Sequence, residues 1–223
     1  MRRFPGVVLL GAFACAAPLH PLPPPAAGSA PEEPAALAAH AQEAARQVQQ
    51  APTADARGKL VDEAVEAGQR CQQAAPASPA CDYALALALG VQARERPSTA
   101  TQGLKVMVEL LQRANGSDAR QDHAGPSRVL ALVLLRAPGW PLGPGDPEAG
   151  LKAARQAVGL FPDYAGNQLA LSEALLVAGD AAGSQAAAAR ALELARSAKA
   201  AGDREADTWL KDGQSLLAGR APR

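Results

Sequence analysis

The chain has 223 residues and 22 basic against 22 acidic side chains, so its formal charge is zero. With both signs interspersed, this balance leaves no electrostatic footprint for nucleic acid and no polybasic patch for an anionic membrane surface. Apolar residues make up 48% of the chain but aromatics only 3%. A core must therefore be assembled from Ala, Leu and Val, and because period-2 alternation is nearly absent, the expected fold class is all-α.

The first residues carry Arg2 and Arg3, then the apolar run Val7 to Ala14, then Cys15. A short positive segment followed by a short apolar one reads as a secretory signal over residues 1–14, and the run is too short to cross a bilayer. Cys15 behind Ala12-Phe13-Ala14 resembles the bacterial lipobox. That resemblance implies a diacylated Cys15, with the membrane as a partner on the periplasmic face of the outer membrane. Ala12-x-Ala14 also fits an ordinary signal peptidase, the alternative reading, which would leave the protein free in the periplasm or secreted. Residues 15–33 include Pro18, Pro21, Pro23, Pro24 and Pro25 and read as an extended tether.

From Pro34 onward, Pro/Gly punctuation predicts helices at 34–50, 54–74, 79–95, 99–114, 124–136, 147–160, 164–178, 181–201 and 203–218. Together they form a helical domain over 34–218, with a tail at 219–223. Asp146 as N-cap, Pro147 at the first helical position and Glu148 in the first turn mark one start clearly. Cys71 and Cys81 flank a Pro-containing loop between two helices. In a hairpin their sulfurs face each other, and an exported chain with one even pair beyond Cys15 is expected to bond them.

The helical text also repeats. Gly145-Asp146-Pro147 matches Gly179-Asp180-Ala181 at an offset of 34 residues, and the register continues through Ala153/Ala187, Ala157/Ala191 and Leu160/Leu194. Together with His123 to Leu130, Arg136 to Pro141 and Phe161-Pro162-Asp163-Tyr164, these stretches resemble exported bacterial tetratricopeptide-repeat proteins. They are also similar to the periplasmic T component of tripartite ATP-independent transporters, a lipoprotein built from such pairs. The resemblance implies antiparallel helix pairs stacked as a right-handed solenoid. The repeat's usual Trp and Tyr on the first helix of each pair are missing, and 137–146 is an insertion.

No paired carboxylates, nucleophile elbow, phosphate loop or metal-ligand spacing occurs, and His20, His40 and His123 share no spacing. The chain is expected to be neither an enzyme nor a metal or cofactor binder. Candidate partner-binding residues are Trp140 on its Pro/Gly loop, Asn167 and Glu173 as polar residues in an apolar helix, and Tyr83 at a helix start. Each has a plainer reading: Trp140 covers adjacent helix ends, Asn167 and Glu173 lie on an exposed face, and Tyr83 packs. Trp209 is expected to seal the last pair. The leading function is a cell-envelope scaffold that binds a protein or peptide. Alternatives are a transporter-associated component handling a small-molecule ligand, which requires an enclosed pocket, and a structural envelope-assembly lipoprotein.

Overall fold

The computed structural model describes residues 33–221. The leader, Cys15 and nearly all of the proline-rich tether lie outside the described residues. The chain divides between Pro31 and Glu32, and the helical unit lies on the C-terminal side.

Among the described residues the unit is all-helical, with nine α-helices and no strand. They are α1 (Pro34–Gln47), α2 (Ala54–Ala74), α3 (Pro79–Glu95), α4 (Ala100–Ser117), α5 (Gln121–Arg136), α6 (Pro147–Leu160), α7 (Ala165–Val177), α8 (Ala181–Ala200) and α9 (Ala206–Leu217). A single 3-10 turn, Pro97–Thr99, precedes α4. The most extensive contacts join α1 to α2, α3 to α4, α5 to α6 and α7 to α8. Alternate helices also touch: α1 with α3, α5 with α7, and α7 with α9.

Local chemistry sets the ends of these helices. Thr53, Ser78, Asp146 and Asp180 each accept a hydrogen bond from a backbone N–H in the first turn, three residues on, satisfying donors that the helix cannot use itself. The stops repeat as well. Gly179 adopts φ +82° after α7, and the Asp180 N–H returns to the Leu175 carbonyl at 2.9 Å. The same closure follows α8, where Asp203 bonds Ala198 at 3.0 Å, and glycine supplies the left-handed residue without steric cost. Asp146 and Asp180, the two caps at the 34-residue offset, thus make the same bond in consecutive helix pairs.

The core follows the composition. At the N-terminal end it is almost entirely alanine: Ala38, Ala41, Ala67 and Ala84 pack with Leu37 around Cys71 and Cys81. These sulfurs are bonded at 1.99 Å with the Cα atoms 5.3 Å apart, tying α2 to α3. The middle layer holds the larger side chains Tyr83, Met107, Leu110, Leu111, Leu130 and Leu134. Trp209 and Leu216 of α9 close the C-terminal end over Leu169, Ala188 and Ala191. No helix among the described residues is long and apolar enough to cross a membrane.

One local feature departs from the sequence expectation. The helix predicted from residue 124 is preceded by a left-handed turn in which Asp122, His123 and Ala124 all have positive φ, at 47°, 53° and 64°. Regular α5 begins only after it.

Candidate functional site

The left-handed turn costs free energy. Asp tolerates this region and alanine does not, and three consecutive non-glycine residues there together cost several kcal/mol, at about 1–2 kcal/mol each. Pro126 disfavours helical geometry just before it, so a regular helix cannot simply extend backward through Gly125. What holds the turn is the nearby Arg128 together with side chains from distant parts of the chain.

Arg128, one turn into α5, reaches back with Nη1 to the carbonyls of Asp122 and His123 at 3.1 and 3.2 Å, and with Nη2 to Asp122 Oδ2 at 2.8 Å. The Tyr83 hydroxyl of α3 donates to the same carboxylate oxygen at 2.6 Å. Asn167 of α7 lies behind the turn: its Nδ2 is within 3.0 Å of the His123 carbonyl, 3.2 Å of Ala157 and 3.1 Å of Phe161, and its Oδ1 is 3.2 Å from Arg128 Nη1. Gly125 is required here, because a Cβ would collide with the Tyr83 hydroxyl.

On the outer side of this brace the aromatic rings align. His123 stacks on Tyr164 with centroids 4.5 Å apart and planes within 4°, and Phe161 meets His123 edge-on at 5.5 Å. Arg128 lies 4.8 Å over the same Tyr164 ring, a cation–π contact. Tyr164 meets Trp209 edge-to-face at 5.2 Å.

Asp122, His123, Arg128 and Tyr164 form one wall of a groove of about 770 Å³. Its other walls are α1 (Gln42, Arg46, Gln49), α3 (Tyr83, Leu87, Val91) and the turn between α8 and α9 (Asp203, Arg204, Glu205). The floor is apolar and the rim is polar with mixed charge. Burial pushes the Glu205 carboxyl above its ordinary value, Asp122 and Asp203 add to the shift, and Arg128 and Arg46 oppose it. Burial likewise raises the Tyr83 and Tyr164 phenols, which stay neutral. Glu205 is solvent-accessible by surface area yet flanked on several sides, as expected for a side chain projecting into an open groove.

A second furrow, about 780 Å³, runs along α1 and α2 only, with His40 Nε2 2.9 Å from Glu63 Oε1. It draws on a single helix pair, whereas the first groove gathers residues from both ends of the unit. Among the described residues no group of His, Cys, Asp and Glu could hold a metal ion.

Compared with protein-family models and with curated proteins, the chain matches none.

The sequence candidates are distributed unevenly. Tyr83 and Asn167 come together, bracing the same turn from two helices. Both are buried, so the exposed-face reading of Asn167 does not hold. Glu173 is buried too, its two oxygens bonded to Arg136 Nε and Nη2 at 2.7 and 2.6 Å, an arrangement that joins α5 to α7 away from the groove. Trp140 is also elsewhere, and it is 90% exposed; it covers no helix end. Cys15 lies outside the described residues. Asp122, His123, Arg128, Tyr164 and Glu205 were not singled out as site residues from sequence. The available signal was the break Asp-His-Ala-Gly-Pro just before a helix with an arginine, Arg128, in its first regular turn.

Proposed function

We propose that this protein is a non-catalytic scaffold of tetratricopeptide type, exported to the cell envelope, whose groove takes an extended peptide segment of a partner protein. The observation that carries the reading is the groove itself, an apolar floor of Leu87, Val91 and Val129 beneath a polar rim from α1, α5 and the α8–α9 turn. Such a surface buries side chains of an extended chain while its rim pairs with backbone groups. The solenoid arrangement is supported by the equivalent caps at Asp146 and Asp180 and by the alternate-helix contacts. Export is supported by the Cys71–Cys81 bond, which persists in oxidising compartments. The lipid anchor on Cys15 rests on the leader sequence alone.

The test is selection of peptides from a random display library on the full chain, with Ala39→Trp and Val91→Arg as groove-filling variants. Selected peptides should lose at least about tenfold in affinity for both variants. Equal binding to wild type and variants would place the contact elsewhere and overturn the reading.

One observation favours a second reading, that of a transport-associated protein handling a small ligand. The groove volume of about 770 Å³ falls within the range of small-molecule sites, although the groove is open and this reading would need it to close over the ligand. Saturable binding of a small solute, with no peptide enriched above background, would select it.

A further inference from the structure

Between α5 and α6 the chain forms a loop over residues 137–145, Ala-Pro-Gly-Trp-Pro-Leu-Gly-Pro-Gly. None of its side chains is charged, and the Trp140 indole N–H is their sole hydrogen-bonding group. At the tip, Trp140 is 90% and Leu142 71% exposed, the two most exposed large hydrophobic side chains among the described residues. Burial in water-soluble folds normally removes such groups from solvent, and a paired exposure on one tip marks a contact surface.

The backbone of the loop is unusually spent. Pro138, Pro141 and Pro144 have no N–H to satisfy. Ala137 donates to Val133 at 2.9 Å, Leu142 and Gly143 both donate to Gly139 at 3.0 and 3.2 Å, and Gly145 donates to Pro138 at 2.8 Å. Asp146 then ties the far end to the Leu134 carbonyl of α5 at 2.9 Å. The loop is thus held by its own backbone without side-chain hydrogen bonds, and of its amides those of Gly139 and Trp140 remain for outside acceptors. Unpaired amides and carbonyls are excluded from the hydrocarbon core, where there is no water to turn to. Water and headgroups meet them at the membrane surface, which limits such a tip to the interfacial layer.

We propose that this loop inserts Trp140 and Leu142 into the interfacial layer of a lipid bilayer. Tryptophan suits that layer, with an apolar ring for the acyl region and an N–H for the headgroup region. A protein occupant fits less well. Two side chains offer far less than the roughly 800 Å² per partner of a stable protein interface. On a second copy of this chain, the furrow along α1 and α2 is lined by Lys59, Glu63 and Glu66. The apolar floor of the other groove lies behind a rim of Arg46, Asp122 and Glu205, which a compact loop with no charge of its own does not complement. The net charge of zero leaves apolar burial, not attraction to anionic lipid, as the driving term. The contact lies outside the peptide groove, so it stands or falls independently of that reading.

The experiment uses the full chain and phosphatidylcholine vesicles with and without brominated acyl chains. Trp209 is only 8% exposed and serves as the internal reference, with Trp140→Phe reporting its emission alone. The Trp140 emission should move to the blue on vesicle addition and be quenched by the brominated lipid, and Leu142→Asp should weaken that quenching about tenfold. A chain that floats with vesicles while Trp140 stays red and unquenched overturns the proposal, and so does failure to float at all. A concentration-dependent blue shift without lipid would assign the loop to a second copy and overturn it as well.

Discussion

Replacing Asn167 with alanine tests the brace behind the groove. The side chain is fully buried, and its amide nitrogen has three carbonyls within 3.2 Å, those of His123, Ala157 and Phe161. An amide NH₂ has two protons, so it satisfies two of these fully at any moment. Each carbonyl keeps another donor: Arg128 for His123, Phe161 N–H for Ala157 and Tyr164 N–H for Phe161. The loss is therefore of second bonds and not of stranded acceptors, about 1 kcal/mol for each of two. The bond from Arg128 to Oδ1 adds about 1 kcal/mol, giving about 3 kcal/mol in all. In a domain of this size that lowers the melting temperature by about 6–12 °C. Urea unfolding at neutral pH, followed by tryptophan emission, measures the free energy directly. The turn should also lose amide-exchange protection, and Asn167→Ala should combine non-additively with Arg128→Ala because both hold the His123 carbonyl. A loss below about 1 kcal/mol, or strict additivity of the pair, would refute the view that Asn167 holds the left-handed turn in place.

Three other outcomes follow from the same geometry. Reduction of the Cys71–Cys81 bond, or its replacement by two alanines, should cost about 2.5 kcal/mol from the loop of sequence separation 10, and reductant should leave the double alanine variant unchanged in denaturant unfolding. Ala124→Gly should leave stability unchanged or raise it by up to about 1 kcal/mol, since relief at φ +64° offsets the lost methyl; the loss of about 1 kcal/mol normal for Ala→Gly inside a helix would show that this residue is not left-handed in solution. Glu205→Gln should stabilise the protein at pH 7. The folded carboxyl sits above its ordinary value of 4.5, chiefly through burial, so the fold binds that proton more tightly than the unfolded chain does. Its stabilising contribution is complete below the unfolded value and is lost as pH rises through the folded one. The difference between wild type and Glu205→Gln should vanish in thermal melts below about pH 4.

Helix ends were readable because each depends on a few adjacent residues. Asp146-Pro147 and Gly179-Asp180 act through bonds closed within three to five residues, and their positions in the structure agree with the sequence reading. The left-handed turn was not readable, because its partners Tyr83 and Asn167 stand 39 and 44 residues away in sequence along the bonds they make. The orientation of α7 was equally hidden. Residues Ala165 to Ala170 are buried without interruption, so the helix has no polar stripe there to indicate which side faces inward. Asn167 and Glu173 consequently looked like surface residues when they are the polar interior of a helix enclosed on most sides. Trp140 misled in the opposite sense, since a large aromatic beside prolines suggests a cover for helix ends, and only the folded loop shows its side chain projecting away from them.

The brace also has consequences for how the groove can respond to an occupant. Arg128 is the shared member: it binds the turn through both terminal nitrogens, contacts Asn167 of α7, and lies over Tyr164. Tyr164 in turn bears on Trp209 of α9, which is packed on Leu169 and Ala188. A ligand that displaced His123 from Tyr164 would have to break a stacked pair and disturb the cation above the same ring, so the cost would extend to α9 and not stay in the turn. Packed side chains of this kind transmit displacement because they leave no void to absorb it. The rim residues Gln42, Gln49 and Arg204 take no part in this chain of contacts. Rim side chains can therefore vary while the shape of the groove is held from behind, a division of labour that the proposed scaffold would require.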